Sequence, residues 1–322
     1  MSSIPVIDVS GIGTDPGIDA DLGREFLSAY GTWGFGYLIG HPIDHTLIDA
    51  VFEQSRTFHA QPSTAKNKIL VNKQHRGFIP FKGSTDVNSS VETVTKPNQS
   101  ESLMLLRDLP ADHPEVLAGN YLAGANQWPS DLPNFVNVMT QYQQEMWKFS
   151  GQLIDVIARA LNDDGSMHEA FESPTTWLRL LHYPPQDPQS PSDEFGSAPH
   201  TDFGAITLLA QDDVGGLSVK TPEGEWVDVP PMPHAFVMNV GDMLHRWSNG
   251  RLLSTPHRVT NRSGLERYSV PFFFDPNVTT VIEPLPSCVD SVHPPLFTPL
   301  TFGDFLRNEL ESSYDNHKSD AS

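Results

Sequence analysis

Cysteine is almost absent: Cys288 is the one thiol in 322 residues. A single cysteine forms no internal disulfide. With no Cys-x-x-Cys pair there is neither a thiolate zinc site nor a dithiol redox centre. Cys288 also lacks a neighbouring base in its proline-rich surroundings, which argues against a nucleophilic role. Basic residues are scarce, with 20 Lys and Arg against 40 Asp and Glu and a formal net charge of -20. No Lys/Arg run supplies a basic stripe, so the reading excludes a nucleic-acid partner. No apolar stretch approaches the ~20 residues that span a bilayer, so it excludes a membrane partner too. Met1-Ser2-Ser3-Ile4-Pro5-Val6 shows no basic stretch followed by an apolar one, and the expectation is a cytoplasmic protein. No repeat with a period of about 20–50 residues is visible, which argues against solenoids and propellers.

What is present is the material of a globular core: 38% hydrophobic against 19% charged residues. Ile4–Val9 and Phe35–Ile39 read as strands. Asp19–Tyr30, closed by Gly31, and Asp44–Phe58 read as helices. The polar stretch Phe81–Ser100 reads as an exposed loop. Leu132, Phe135, Met139, Tyr142, Met146, Phe149, Leu153, Ile157 and Leu161 recur every three or four places. That spacing predicts one long helix, whose apolar stripe must lie along a sheet. After Gly165 come short β-rich runs, including Trp177–Tyr183, Ala205–Gln211, Ala235–Val240, His257–Thr260 and Arg267–Phe274. Gly, Pro, Asp and Asn separate them, as in a sandwich or jelly roll. Phe302–Glu311 reads as a last helix, followed by a fraying polar tail.

Three short patterns carry chemistry. In a strand, His200 and Asp202 of His200-Thr201-Asp202 project from one face. Alone this says little, since His113-Pro114-Glu115 has the same form. The second pattern is His257, in another β-like run. Two imidazoles and one carboxylate on one face make a facial triad that leaves three positions of an octahedron open. This suits non-haem Fe(II); zinc is the competing metal. The third pattern is Arg267-Tyr268-Ser269. A guanidinium fork beside a hydroxyl matches a carboxylate, and Tyr183 adds a phenol.

In sequence order, His200-Thr201-Asp202-Phe203-Gly204, Gly215-Gly216-Leu217, Asn239-Val240-Gly241-Asp242, Ser248-Asn249-Gly250, His257-Arg258-Val259 and Arg267-Tyr268-Ser269 resemble the Fe(II)- and 2-oxoglutarate-dependent dioxygenases of the isopenicillin N synthase-like type. Ile4-Pro5-Val6-Ile7-Asp8, Gly34-Phe35-Gly36-Tyr37 and Arg76-Gly77-Phe78 are similar to that family's N-terminal region. The resemblance implies a mainly β fold with flanking helices: a double-stranded β-helix (jelly-roll) core and a long supporting helix at about 132–161. It divides the chain into an N-terminal region 1–120, the supporting helix 121–170, the β-helix core 171–285 and a C-terminal helix and tail 286–322. His200, Asp202 and His257 would be the catalytic iron ligands. Arg267, Ser269 and Tyr183 would bind the distal carboxylate of 2-oxoglutarate. The implied activity couples decarboxylation of 2-oxoglutarate to hydroxylation, or related C–H oxidation, of a small molecule by O2, in a monomer. Two departures stand out. Leu181 occupies a place where the family often has Asn, and Gly40-His41-Pro42 replaces its Asn-His-Gly. Leu181 keeps open an iron/O2 oxidase that does without 2-oxoglutarate; a non-catalytic jelly-roll binding protein is the remaining alternative.

Strand parity from Arg267 and Ser269 points Phe273 inward as a candidate substrate contact, and the opposite parity to Asp202 places Phe203 in the core. His75, Arg76 and Lys82 lie near the polar loop and read as solvated. His59, His168, His182, His234 and His245 read as structural.

Overall fold

The computed structural model describes residues 3–86, 89 and 91–313. The expected polar tail lies outside these residues, as do three positions of the polar loop. Two sheets form the jelly roll. The larger has eight strands in the order β1-β2-β10-β7-β12-β5-β4-β3, and the smaller has four in the order β6-β11-β8-β9. The strands are β1 Val6–Asp8, β2 Phe35–Ile39, β3 Gly77–Ile79, β4 Glu101–Leu106, β5 Thr175–Tyr183, β6 Ser197–His200, β7 Ile206–Gln211, β8 Leu217–Lys220, β9 Trp226–Asp228, β10 Phe236–Val240, β11 His257–Val259 and β12 Arg267–Asp275.

The period of two along β5 and β12 gives the large sheet two different faces. Leu178, Leu180, Val270, Phe272 and Phe274 pack outward in the main core. That core also takes in helices α1 (Pro16–Thr32), α2 (His45–His59) and the long helix Phe135–Ala160. Between the sheets lies a smaller core of Phe35, Tyr37, Leu181, Tyr183, Leu217, Val219, Val237 and Val259. The long helix buries the expected stripe from Phe135 to Ile157. It starts at Phe135 rather than Leu132 because Pro133 disfavours helical backbone at the residue before it. The first helix starts earlier than expected and runs through Gly31. Asp15 caps it, accepting from the Gly17 and Ile18 amides, and Pro16 supplies the pre-set first position.

Other expectations near residues 75–106 are corrected. Strand β4 was not legible as a strand, and the end of the supposedly exposed loop is buried at Asn98, Gln99 and Ser100. His75 and Arg76 are buried as well, with Arg76 donating to the carbonyls of Gln74 and Arg107. Lys82 is exposed as expected. Every residue of β4 is buried between β3 and β5. Its one charge, Glu101, is matched there: Lys66 Nζ donates to both carboxylate oxygens at 2.7 and 2.8 Å. His182 Nδ1 and His59 Nδ1 lie 2.9 and 3.2 Å from Oε1. Burial raises the Glu101 pKa, but hydrogen bonds from His182, His59 and Lys66 outweigh it and hold the carboxyl well below the usual range.

The lowered pKa fixes the sign of a pH effect: this stabilisation is present above the unfolded value of about 4.3 and is lost as pH falls below it. Glu101→Gln should cost about 3–5 kcal/mol at neutral pH, because it strands the Lys66 ammonium. The gap to the wild type should narrow on acidification below that value, as read by urea unfolding at the two pH values.

Candidate metal centre and active site

His200 ends β6 and His257 opens β11, directly opposite in register. Their rings lie 4.3 Å apart, centroid to centroid. Each Nε2 is 3.7 Å from Asp202 Oδ1. The three ligand atoms lie within 4.8 Å of one another. The strand argument for His200 and Asp202 is corrected in its mechanism, since β6 stops at His200 and Asp202 sits in the turn beyond it. Backbone bonds hold that turn: Asp242 N–H donates to Asp202 O, Met243 N–H to Gly204 O and Gly241 N–H to Ala205 O, each at 2.8 Å. Gly241 is required here because a Cβ would lie 2.4 Å from Gly204 O and 3.0 Å from Asp202 O.

Each ligand atom is oriented by a bond on its far side. His200 Nδ1 donates to Ala198 O at 2.7 Å, and His257 Nδ1 to Thr255 O at 3.3 Å, so both Nε2 lone pairs face Asp202. Burial pushes the His257 imidazole down to about 4, which leaves it neutral and ready to ligate near neutral pH. Asp202 Oδ2 accepts from Thr207 Oγ1 at 2.5 Å and from Asn239 Nδ2 at 2.7 Å, and Oδ1 remains for a metal. Burial would raise this carboxyl; the two imidazoles, Asn239 and Thr207 overcome it and keep it ionised. Two imidazole nitrogens and one carboxylate oxygen gathered at one point fit Fe(II).

A second cluster, His59, Glu101 and His182, also gathers possible ligand atoms. There the Lys66 ammonium already supplies the cation, donating to both Glu101 oxygens.

Arg267, Ser269 and Tyr183 come together on the inner face of the large sheet. Arg267 stands opposite Tyr183, and Ser269 opposite Leu181 and Gln211. The guanidinium is fully buried, 4.6 Å from the Tyr183 ring centroid. Its Nε donates to Gly215 O at 2.5 Å and its Nη2 to Gln211 Oε1 at 3.1 Å. Nη1 is buried with no partner among the described residues. A buried cation with an unused N–H edge is a carboxylate receptor, since leaving it unpaired is costly.

Beside the triad is a cavity of about 110 Å³, with Trp177, Arg179, Phe273 and Asp275 on its sheet wall and Leu306 and Leu310 of the C-terminal helix Phe302–Ser313 across it. Phe273 lines this cavity. Phe203 packs, half-buried, against the main core, and it also lines the same cavity and meets Phe305 edge-on. Sequence reasoning missed Trp177, Arg179 and Asp275. Parity had the signal, because counting back in twos from Tyr183 reaches Arg179 and Trp177, and forward from Phe273 reaches Asp275. Asp275 accepts from Ala205 N–H at 2.9 Å, and burial pushes its carboxyl up to about 8. A larger cavity, about 530 Å³, lies outside the jelly roll between α2 and residues 231–236 and holds none of the triad.

Residues 174–276 match the 2OG-Fe(II) oxygenase superfamily, and residues 4–131 match the N-terminal region described as non-haem dioxygenase in morphine synthesis. The chain is 34% identical to the 2-oxoglutarate-Fe(II) type oxidoreductase hxnY of Emericella nidulans, over 96% of this chain and 90% of that one. It is 37% identical to the 2-oxoglutarate-dependent dioxygenase citB of Monascus ruber, over 88% and 87% respectively. A full-length Neurospora crassa protein, crystallised in complex with alpha-KG and 5-formyluracil, superposes with a TM-score of 0.82 at 28% identity, covering 96% of each chain.

The bonds to Asp202 are testable without turnover. Asn239→Ala and Thr207→Val should each weaken Fe(II) binding about 10–100-fold, as measured by anaerobic calorimetry, while leaving the melting transition cooperative.

Proposed function

The chain belongs to the 2OG-Fe(II) oxygenase superfamily, and we propose that within it His200, Asp202 and His257 hold the iron while Arg267, Ser269 and Tyr183 hold the distal carboxylate of 2-oxoglutarate. The protein is a non-haem iron oxygenase that couples oxidative decarboxylation of 2-oxoglutarate to hydroxylation, or related C–H oxidation, of a small organic molecule. The observation that carries the residue assignment is the orientation of the three ligand atoms: each imidazole is turned by a backbone carbonyl, and the carboxylate by Thr207 and Asn239. When bound, iron and 2-oxoglutarate supply the oxidising chemistry, with O2 as co-substrate and succinate and CO2 as products.

The chain's own part is placement and exclusion of water. Arg267 anchors one end of 2-oxoglutarate through its unpartnered Nη1, stacked against Tyr183. Leu181 offers an apolar wall beside Ser269 in place of an amide. Phe273 packs against the substrate on the cavity side. The same reading takes 171–285 as the iron and 2-oxoglutarate core and 1–120 as the region that extends its large sheet. Residues 121–170 are the support, and the C-terminal helix within 286–322 is the far wall of the cavity. A monomer suffices, since every assigned residue comes from one chain. No helix among the described residues is long and apolar enough to cross a membrane. The buried free thiol of Cys288 fits a cytoplasmic setting.

Anaerobic titration of the Fe(II)-loaded protein with 2-oxoglutarate should give the weak visible charge-transfer band of the chelate, saturating at one equivalent. Arg267→Ala should keep the band but shift its midpoint about 10–100-fold, the worth of a lost charged hydrogen bond. Asp202→Ala should abolish both the band and succinate release while keeping the melting transition. Iron binding without a band would instead favour the oxidase that does without 2-oxoglutarate.

A further inference from the structure

Resting on that reading, we propose that Gln211 sets the co-substrate selectivity of the site: as an uncharged acceptor it fixes the plane of the Arg267 guanidinium and leaves its charge for the distal carboxylate of a 2-oxo diacid. Gln211 ends β7. It has the parity of Thr207, which bonds Asp202 from four places earlier, or roughly 13 Å of strand. One strand therefore reaches the metal end of the chamber through Thr207 and the carboxylate end through Gln211. Gln211 stands opposite Ser269 on one side, and Leu181, which offers no polar group, stands opposite Ser269 on the other.

A guanidinium has N–H donors and no acceptor. The Gln211 amide therefore turns its oxygen to Arg267, and Oε1 accepts from Nη2 at 3.1 Å. Gly215 O accepts from Nε at 2.5 Å, so the planar fork is held at two points. Its face lies against the Tyr183 ring, and Nη1 is the edge left over. Each of these partners is neutral. Asp212, the next residue, is close enough for its carboxyl to feel the guanidinium. Its oxygens are bonded to the backbone instead: Oδ2 accepts from Tyr268 N–H at 2.5 Å and Oδ1 from Val214 N–H at 3.1 Å. A buried guanidinium held by a carboxylate would be a closed ion pair with little attraction left for an anion. Held by an amide, it keeps its orientation and its charge together. The protein is less stable for it, and a bound dicarboxylate restores what is missing. Selectivity is a difference of affinities, and here it is the difference between a charged and an uncharged tail on the 2-oxo acid.

Two substitutions test this. Gln211→Glu keeps the length and the acceptor and adds a charge. Gln211→Leu keeps the bulk and removes the acceptor. Each Fe(II)-loaded protein is titrated without oxygen, following the charge-transfer band, with 2-oxoglutarate and with 4-methyl-2-oxopentanoate, whose tail is uncharged. The wild type should prefer 2-oxoglutarate about tenfold or more. Gln211→Glu should weaken 2-oxoglutarate about tenfold or more and leave the uncharged acid within about threefold, so that the preference collapses. The metal-free Gln211→Glu protein should nevertheless melt about 2 °C or more above the wild type, because the buried cation has gained a counter-ion. Gln211→Leu should melt below the wild type and weaken 2-oxoglutarate more than the uncharged acid. A purely structural tie would predict the opposite for Gln211→Glu, since a carboxylate holds the guanidinium at least as firmly as an amide. The proposal is overturned if Gln211→Glu keeps the wild-type preference, if it melts no higher than the wild type, or if the wild type does not discriminate. A wild type with no band for 2-oxoglutarate fails the co-substrate assignment and the role of Gln211 with it. A wild-type band with an unchanged preference in both variants fails the role of Gln211 alone.

Discussion

The structure of the site depends on the two hydrogen bonds that hold the Asp202 carboxylate. His200 and His257 belong to the small sheet, while Thr207 and Asn239, which grip Asp202, belong to β7 and β10 of the large one. Asp202 is therefore the place where the two sheets are tied across the open end of the jelly roll. Its remaining oxygen lies at equal distance from the two imidazole nitrogens. Neither sheet alone could set that distance. The backbone bonds from 241–243 to 202–205 do the same work one layer further out, and they explain why a glycine is needed at Gly241.

The same two-sheet arrangement sorts the residues of β5 and β12 by parity. One set packs under three helices and supplies the stability of the domain. The other set faces the small sheet and contains all the chemistry of the wall, from Arg267 and Tyr183 at one end to Asp275 at the other. A one-residue slip in register would exchange the sets, burying the charges in the apolar core and turning Phe272 and Phe274 into the cavity. The continuous apolar pack beneath the long helix makes that slip costly, so the helix, though remote from the chemistry, guards its register.

Much of this was legible in the sequence where chemistry is carried by unusual residues in fixed order. His200, Asp202, His257, Arg267 and Ser269 could be read because each pattern restricts the next. The stripe from Phe135 to Ile157 was legible because a helical period sustained over many turns has few rivals. The missed parts share a different physics. Strand β4 is a short apolar run, Leu103–Leu106, behind Glu101 and Ser102, and nothing local reveals that Lys66 neutralises the charge of Glu101 while His59 and His182 hydrogen-bond it from distant segments. Arg76 reads as a surface cation for the same reason: its acceptors are backbone carbonyls, which carry no sequence signature. The place of Phe203 on the cavity was missed because parity was applied past the end of β6, where the strand had already stopped.

Charge explains why the parts of the site belong together. On the proposed assignment, the protein's own charges in the chamber balance, with Asp202 negative and Arg267 positive. Fe(II) alone adds two positive charges to a place with little water, where they interact strongly. 2-Oxoglutarate brings two negative charges, one carboxylate toward the metal and one toward Arg267, and restores the balance. Each of the two therefore improves the site for the other, and by linkage the improvement is mutual and equal. The unpartnered Nη1 of Arg267 is the structural cost of that arrangement, a buried donor left unsatisfied so that the co-substrate satisfies it. A substrate then enters beside a chamber whose charges are already balanced. Substrate recognition is thereby separated from the loading of iron and 2-oxoglutarate.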